Sequence, residues 1–137
     1  MAINIYMNFN GNCREAVEFY SEVFRTEKQQ IMTFGEAPAD PNHPIPEAAK
    51  DLIMHTFLII SGSKIMFSDV FPGMPFVAGN NISLTVVSKE QEEIVDIYNK
   101  LKVGGTVGME LGETFWSKCY GNLTDKFGIE WQLSLES

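Results

Sequence analysis

The feature that most constrains this chain is a pattern that occurs twice. A short amphipathic stretch, with apolar positions at Ala16, Phe19, Tyr20, Val23 and Phe24, follows one β-type run and precedes three more. A second stretch, with Ile94, Val95, Ile97, Tyr98 and Leu101 on its apolar side, again follows one β-run and precedes three. At an offset of 78 residues, Glu15, Val17, Glu18 and Tyr20 fall on Glu93, Val95, Asp96 and Tyr98. The order β-α-β-β-β, linker, β-α-β-β-β predicts an internal duplication. One helix covers one face of its sheet, so neither half buries both faces alone, and two halves side by side would enclose a cup. The expected fold is α+β: paired βαβββ modules, about 1–70 and 80–137, making one domain around a curled mixed sheet.

The elements follow from local signals. Residues 3–9 alternate as a strand, with Ile3, Ile5, Met7 and Phe9 on one face and Asn4, Tyr6 and Asn8 on the other. Asn12 followed three residues later by Glu15 reads as a capping box that opens a helix over 13–24. A second strand is expected over 27–34, then a long loop over 35–46 that holds four of the six prolines. Residues 52–60 and 64–70 form a hairpin through Ser61-Gly62-Ser63. A linker spans 71–80, and a strand over 81–87 leads to a helix capped by Ser88 with Gln91 and closed by Gly104-Gly105. Three strands over 106–111, 115–123 and 129–135 follow.

Composition excludes several function classes. Ten Lys and Arg stand against 18 Asp and Glu, for a net charge of −8, and no basic stripe is present, so no nucleic-acid partner is expected. No apolar run reaches the length of a membrane span, and residues 1–6 lack the basic and apolar regions of a secretion signal. A cytoplasmic protein without a membrane partner is expected. Cys13 and Cys119 form no metal or redox spacing and read as free structural thiols.

Specific residues then carry a resemblance. Trp116-Ser117-Lys118-Cys119-Tyr120-Gly121, Asp125 through Trp131, Asn8-Phe9-Asn10-Gly11-Asn12-Cys13 ahead of the first helix, and Ser68-Asp69 together resemble the PhnB-like branch of the vicinal oxygen chelate superfamily. Glyoxalase I, extradiol dioxygenases and the bleomycin and fosfomycin resistance proteins share that superfamily. The resemblance implies the glyoxalase/bleomycin resistance fold and a homodimer. In metal-using relatives, a His on each module's first strand and a Glu on a last strand hold a divalent ion. The matching positions here carry Ile5, Ser83 and Gln132, which lack the charge and imidazole of such sites, so neither a metal nor another cofactor is expected.

The candidate residues sort by chemistry. The chain has two histidines, and His43 lies in the proline-rich loop as a surface residue. His55 lies on a strand, where it either contacts a ligand or is satisfied by its neighbours. Asp69 is a turn-former or, with His55, a general acid/base or polar anchor. Trp116, Lys118 and Tyr120 share a face if residues 115–123 form a regular strand, giving an aromatic wall with a cation. Met7, Phe9, His55, Ser68, Trp116, Lys118, Tyr120 and Gln132 are the expected ligand-binding set, with Trp131 on the opposite, core face. The leading reading is a small-molecule-binding protein with a small, partly apolar organic ligand. The alternatives are a metal-dependent lyase, isomerase or dioxygenase of the glyoxalase type, and a drug-sequestering resistance protein.

Overall fold

Burial of alternate residues builds the first sheet. Strands β1 (Ile5–Phe9), β2 (Met32–Thr33), β3 (Ile53–Ile60) and β4 (Ser63–Asp69) lie in the order β1-β4-β3-β2, with β1 parallel and β3 antiparallel to β4. Met7, Phe67 and Thr56 form one row across three strands, and Ile5, Ile65 and Leu58 form the next. Phe67, Thr56 and Leu58 are fully buried. Helix α1 (Cys13–Val23) supplies the cover, with Ala16, Val17, Tyr20 and Val23 inward. Phe9 and Tyr20 both stack on Phe67, at ring separations of 6.2 and 6.0 Å. Each fully buried Leu or Phe of this layer contributes roughly 1.5–3 kcal/mol of transfer free energy.

The computed structural model describes residues 1–38 and 40–137 and divides into two units, Met1–Phe76 and Val77–Ser137. In the second unit, β5 (Ser83–Ser88), β6 (Thr106–Gly112), β7 (Tyr120–Thr124) and β8 (Glu130–Leu135) lie in the order β5-β8-β7-β6. The first and last strands again pair in parallel, and β7 is antiparallel to both neighbours. Helix α2 (Gln91–Leu101) buries Ile94, Ile97, Tyr98 and Leu101, while Leu123, Trp131 and Leu133 are buried on the strands. Each unit is thus a βαβββ module with a mixed four-stranded sheet, as the duplicated pattern predicts. No helix among the described residues is long and apolar enough to cross a membrane.

The hairpin at Ser61-Gly62 forms as expected. Ile60 pairs with Ser63, and the two residues between them have φ of 50° and 79°, the left-handed pair of a type I′ turn. Two other local expectations are corrected. Asn12 makes no side-chain cap bond; the Asp69 carboxylate instead accepts the Gly11 and Cys13 N–H groups at 2.9 and 3.0 Å. The strand expected over 27–34 shrinks to Met32–Thr33. Side chains replace the ladder there: Thr26 Oγ1 donates to the Ile59 carbonyl and Thr56 Oγ1 to the Gln30 carbonyl.

A third correction concerns the offset between modules. Three residues separate β1 from α1, whereas two separate β5 from α2. The offset of 78 that superposes the helices therefore puts the preceding strands out of phase by one residue. Because side chains alternate, that one residue exchanges the two faces.

Candidate functional site

The face of the second sheet opposite its buried Trp131 and Leu133 is polar. Alternation and register put Ser83 and Thr85 of β5, Glu130, Gln132 and Ser134 of β8, and Tyr120, Asn122 and Thr124 of β7 on that face. Hydrogen bonds link several of them in a row. The Tyr120 hydroxyl donates to Gln132 Oε1 at 2.6 Å, Gln132 Nε2 donates to Ser83 Oγ at 2.7 Å, and Asn122 Nδ2 lies 3.5 Å from the Tyr120 oxygen. Turning the Gln132 amide over satisfies the same distances, with Ser83 donating and Tyr120 accepting. Either arrangement leaves one hydroxyl proton, on Ser83 or Tyr120, and one Gln132 amide proton outside the row. The face therefore presents donors to a partner.

Trp116 gives the row an aromatic border. Its ring meets Tyr120 edge-on at 5.2 Å and Phe115 at 4.9 Å, and it remains 52% exposed although Tyr120 is 8% exposed. The expected regular strand over 115–123 is corrected here, since β7 begins at Tyr120 and Trp116 and Lys118 lie in the preceding loop. Ser117 is the cause. Its buried hydroxyl bonds the Leu135 carbonyl at 2.9 Å and accepts the Cys119 N–H at 3.2 Å, while Thr114 and Ser117 close the loop on each other. Lys118 is exposed in that loop, outside the row formed by Tyr120 and Gln132.

The first sheet has its own uncovered face. Tyr6, Met66 and Phe57 form one row on it, and Asn8 pairs with Ser68 in the next. His55 alternates onto this side, and its ring lies 5.9 Å from that of Tyr6. Ser68 shares the face but is buried. The structure moves Met7 and Phe9 away from it: both sit on the helix-covered side, 6% and 3% exposed, because that side of β1 is the apolar one. Ile5 shares their side, whereas Ser83 lies on the uncovered face of its own sheet, so the two do not hold equivalent positions.

Of the two roles open to Asp69, the structure shows the turn-former. It is 3% exposed, and in addition to the Gly11 and Cys13 bonds it accepts the Ile53 N–H at 3.0 Å. A carboxylate holding three backbone donors ties the β1–α1 turn to β3 and has no contact with His55 to make an acid/base pair. Burial, then the Asp69 charge, pushes the neighbouring Cys13 thiol far above its ordinary range, which leaves it inert as a nucleophile. In the second unit Asp125 acts similarly, accepting the Phe127 and Ile129 N–H groups and the Trp131 indole N–H at 2.8 Å. Trp131 is core, as its position opposite Gln132 predicts.

Asn122 and Tyr6 lie outside the expected ligand-binding set. Their signal is alternation: Tyr120, Asn122 and Thr124 interleave with Gly121 and Leu123 on the short strand β7. A transition metal does not fit these residues. Ser83 and Gln132 offer an alcohol and an amide already engaged with neighbours, and among the described residues no group of three His, Cys, Asp or Glu could hold a metal.

Comparison with known proteins gives consistent results. A family profile named 3-demethylubiquinone-9 3-methyltransferase matches residues 1–134. The chain is 30% identical to the protein YjdN of Escherichia coli K12, over 98% of this chain and 95% of that one. It resembles the crystal structure of PA1353 from Pseudomonas aeruginosa, with 34% identity, a TM-score of 0.87 and coverage of 99% and 98% of the two chains. A Bacillus cereus PhnB protein under the 3-demethylubiquinone-9 3-methyltransferase name gives 30% identity, a TM-score of 0.81 and coverage of 99% and 100%. The Listeria monocytogenes fosfomycin resistance protein FosX, at 11% identity, a TM-score of 0.67 and coverage of 100% and 93%, shares the fold alone. The fold is that of the glyoxalase/bleomycin resistance proteins.

Proposed function

We propose that this chain, which belongs to the PhnB-like family named for 3-demethylubiquinone-9 3-methyltransferase, binds a small organic ligand without a metal, using the uncovered face of its second sheet. The observation that carries the reading is the row Asn122–Tyr120–Gln132–Ser83 beside exposed Trp116. A planar apolar group stacks on Trp116, and a hydrogen-bond acceptor, a carbonyl or carboxylate oxygen, takes the remaining hydroxyl and amide protons. Metal-dependent lyase or dioxygenase chemistry is disfavoured by the donor set: Ile5 lies under the helix, and Ser83 and Gln132 are uncharged. The methyltransferase name is not adopted as an activity; the Gly11 and Cys13 amides at the start of α1 are engaged by Asp69 and are not available to an anionic ligand group.

Thermal shift with benzoate, benzamide and benzylamine tests the reading. Benzoate and benzamide raise Tm through preferential binding to the folded state, and benzylamine, which offers no acceptor oxygen, does not. Trp116→Ala removes the shift and leaves the unliganded Tm close to wild type. Equal shifts with all three compounds, or a full shift in Trp116→Ala, would reject the assignment. Elemental analysis of purified protein is expected to find no stoichiometric transition metal.

The same reading takes the chain as a cytoplasmic homodimer. Exposed Val87 on edge strand β5 and Met109 on edge strand β6 support it, since uncovered edges invite pairing. Light scattering returning the 15.4 kDa of a single chain would refute it.

A further inference from the structure

The turn between β1 and α1 juxtaposes an exposed Asn10 with Gly11, whose φ is 93° and around whose missing Cβ no atom lies within 4 Å. An asparagine amide followed by glycine is the pairing in which the next backbone nitrogen reaches the side-chain carbonyl most easily, because no side chain hinders it. That nitrogen is not idle here: its N–H donates to Asp69 Oδ1 at 2.9 Å, and the same oxygen accepts from Cys13 while Oδ2 accepts from Ile53. Attack requires the nitrogen to lose its proton and to swing toward Asn10. A buried carboxylate opposes both, first by accepting the proton in a hydrogen bond and then by repelling the anion that would form.

We propose that Asn10–Gly11 is a latent backbone-modification site at which Asn10 converts to aspartate and isoaspartate, and that Asp69 suppresses the conversion while the turn is closed. Once the turn opens, solvent base takes the Gly11 amide proton and the nitrogen forms a bond to Asn10 Cγ. The C–Nδ2 bond breaks, ammonia leaves with a proton from solvent, and a succinimide ring remains. Water then opens either ring carbonyl, so the net change is amide plus water to acid plus ammonia. The isoaspartate product lengthens the main chain by one methylene between β1 and α1 and places a new negative charge beside Asp69. It therefore prevents the turn from closing again on the same carboxylate.

Peptide mass spectrometry of the full chain, aged at mildly alkaline pH, tests this. Asn10 is expected to convert about tenfold or more slowly in folded protein than in guanidinium, and its rate should climb in low urea before global unfolding, as a locally opening segment does. Asn81, outside that turn, should not climb in that range. Asp69→Asn, checked by circular dichroism for a folded spectrum, should raise the native rate at Asn10 severalfold. Equal rates in folded and unfolded chain, or no conversion in either, overturn the site. A rate that follows only the global transition, or a folded Asp69→Asn with an unchanged rate, overturns the guarding role. Should Asp69→Asn unfold, the urea series decides alone.

Discussion

The two sheets are built alike and differ on one side. Under α1 and under α2 the strands present buried apolar rows, Phe9, Phe67 and Leu58 in one unit and Leu123, Trp131 and Leu133 in the other. On the uncovered sides the likeness ends. The first carries Tyr6, Phe57, Ile59 and Met66 with His55, Lys64, Asn8 and Ser68, whereas the second carries Val87 among Ser83, Thr85, Asn122, Thr124, Glu130 and Gln132. Core packing restricts what a helix-covered strand face can become, so duplicated modules keep it. The uncovered face is free of that demand, and its side chains differ between the modules. One face offers mainly apolar and aromatic contact area; the other offers mainly hydrogen-bonding groups.

The largest effect that separates the modules lies in their buried carboxylates. Asp69→Ala strands three backbone donors, two of them in fully buried bonds, and is expected to cost about 3–5 kcal/mol in urea unfolding. Asp125→Ala should cost less, roughly 2–3 kcal/mol, because of the three bonds named above only that to the Trp131 indole is fully buried. Equal losses would erase this contrast.

A smaller effect addresses the uncovered faces directly. Gln132→Ala leaves Tyr120 and Ser83 without their shared partner and should weaken benzoate binding about tenfold, with Tyr6→Ala changing it by less. The reverse order, read by calorimetry, would transfer the ligand to the first sheet.

The smallest effect is confined to alkaline pH. Burial, with the 2.9 Å hydrogen bond to Glu110 second, raises the Tyr98 phenol from 10.0 to about 12. The folded state thus holds this proton more tightly than the unfolded chain, so the contribution is complete below pH 10 and disappears as pH rises toward 12. Tyr98→Phe should cost about 1 kcal/mol at neutral pH and flatten the stability profile over that alkaline window. An unchanged profile would show that the Tyr98 proton does not set the alkaline limit.

The helices, the hairpin and the duplicated order were legible because each has a strong local cause. Val17, Tyr20 and Val23 recur at helical spacing, and Ser61-Gly62 supplies the left-handed turn. The two faces of β1 were harder to assign. Its apolar alternation at Ile5, Met7 and Phe9 is evident, yet which side a helix covers depends on a partner distant in sequence, Phe67, and on a turn one residue longer than its counterpart. The wall at Trp116 and Tyr120 was visible as residue types, but the break in the strand between them follows from Ser117 bonding the carbonyl of Leu135, a contact no local pattern announces. The two roles that sequence leaves open for Asp69 have a related cause. A carboxylate surrounded by backbone donors looks, in sequence, the same as one facing a ligand.

The parallel pairing of first and last strands sets the order of events as the chain is made. Neither sheet can be completed by its neighbours in sequence, since β1 must wait for Ser63–Asp69 and β5 for Glu130–Leu135. Such long-range closure slows folding relative to a hairpin, because the loop entropy is lost before any ladder forms. Yet every strand of the first sheet has been synthesised by Asp69, before Ser83–Ser88 exists. On a ribosome the four strands of the first unit emerge ahead of those of the second, so two similar strand sets within one chain become available for pairing in succession.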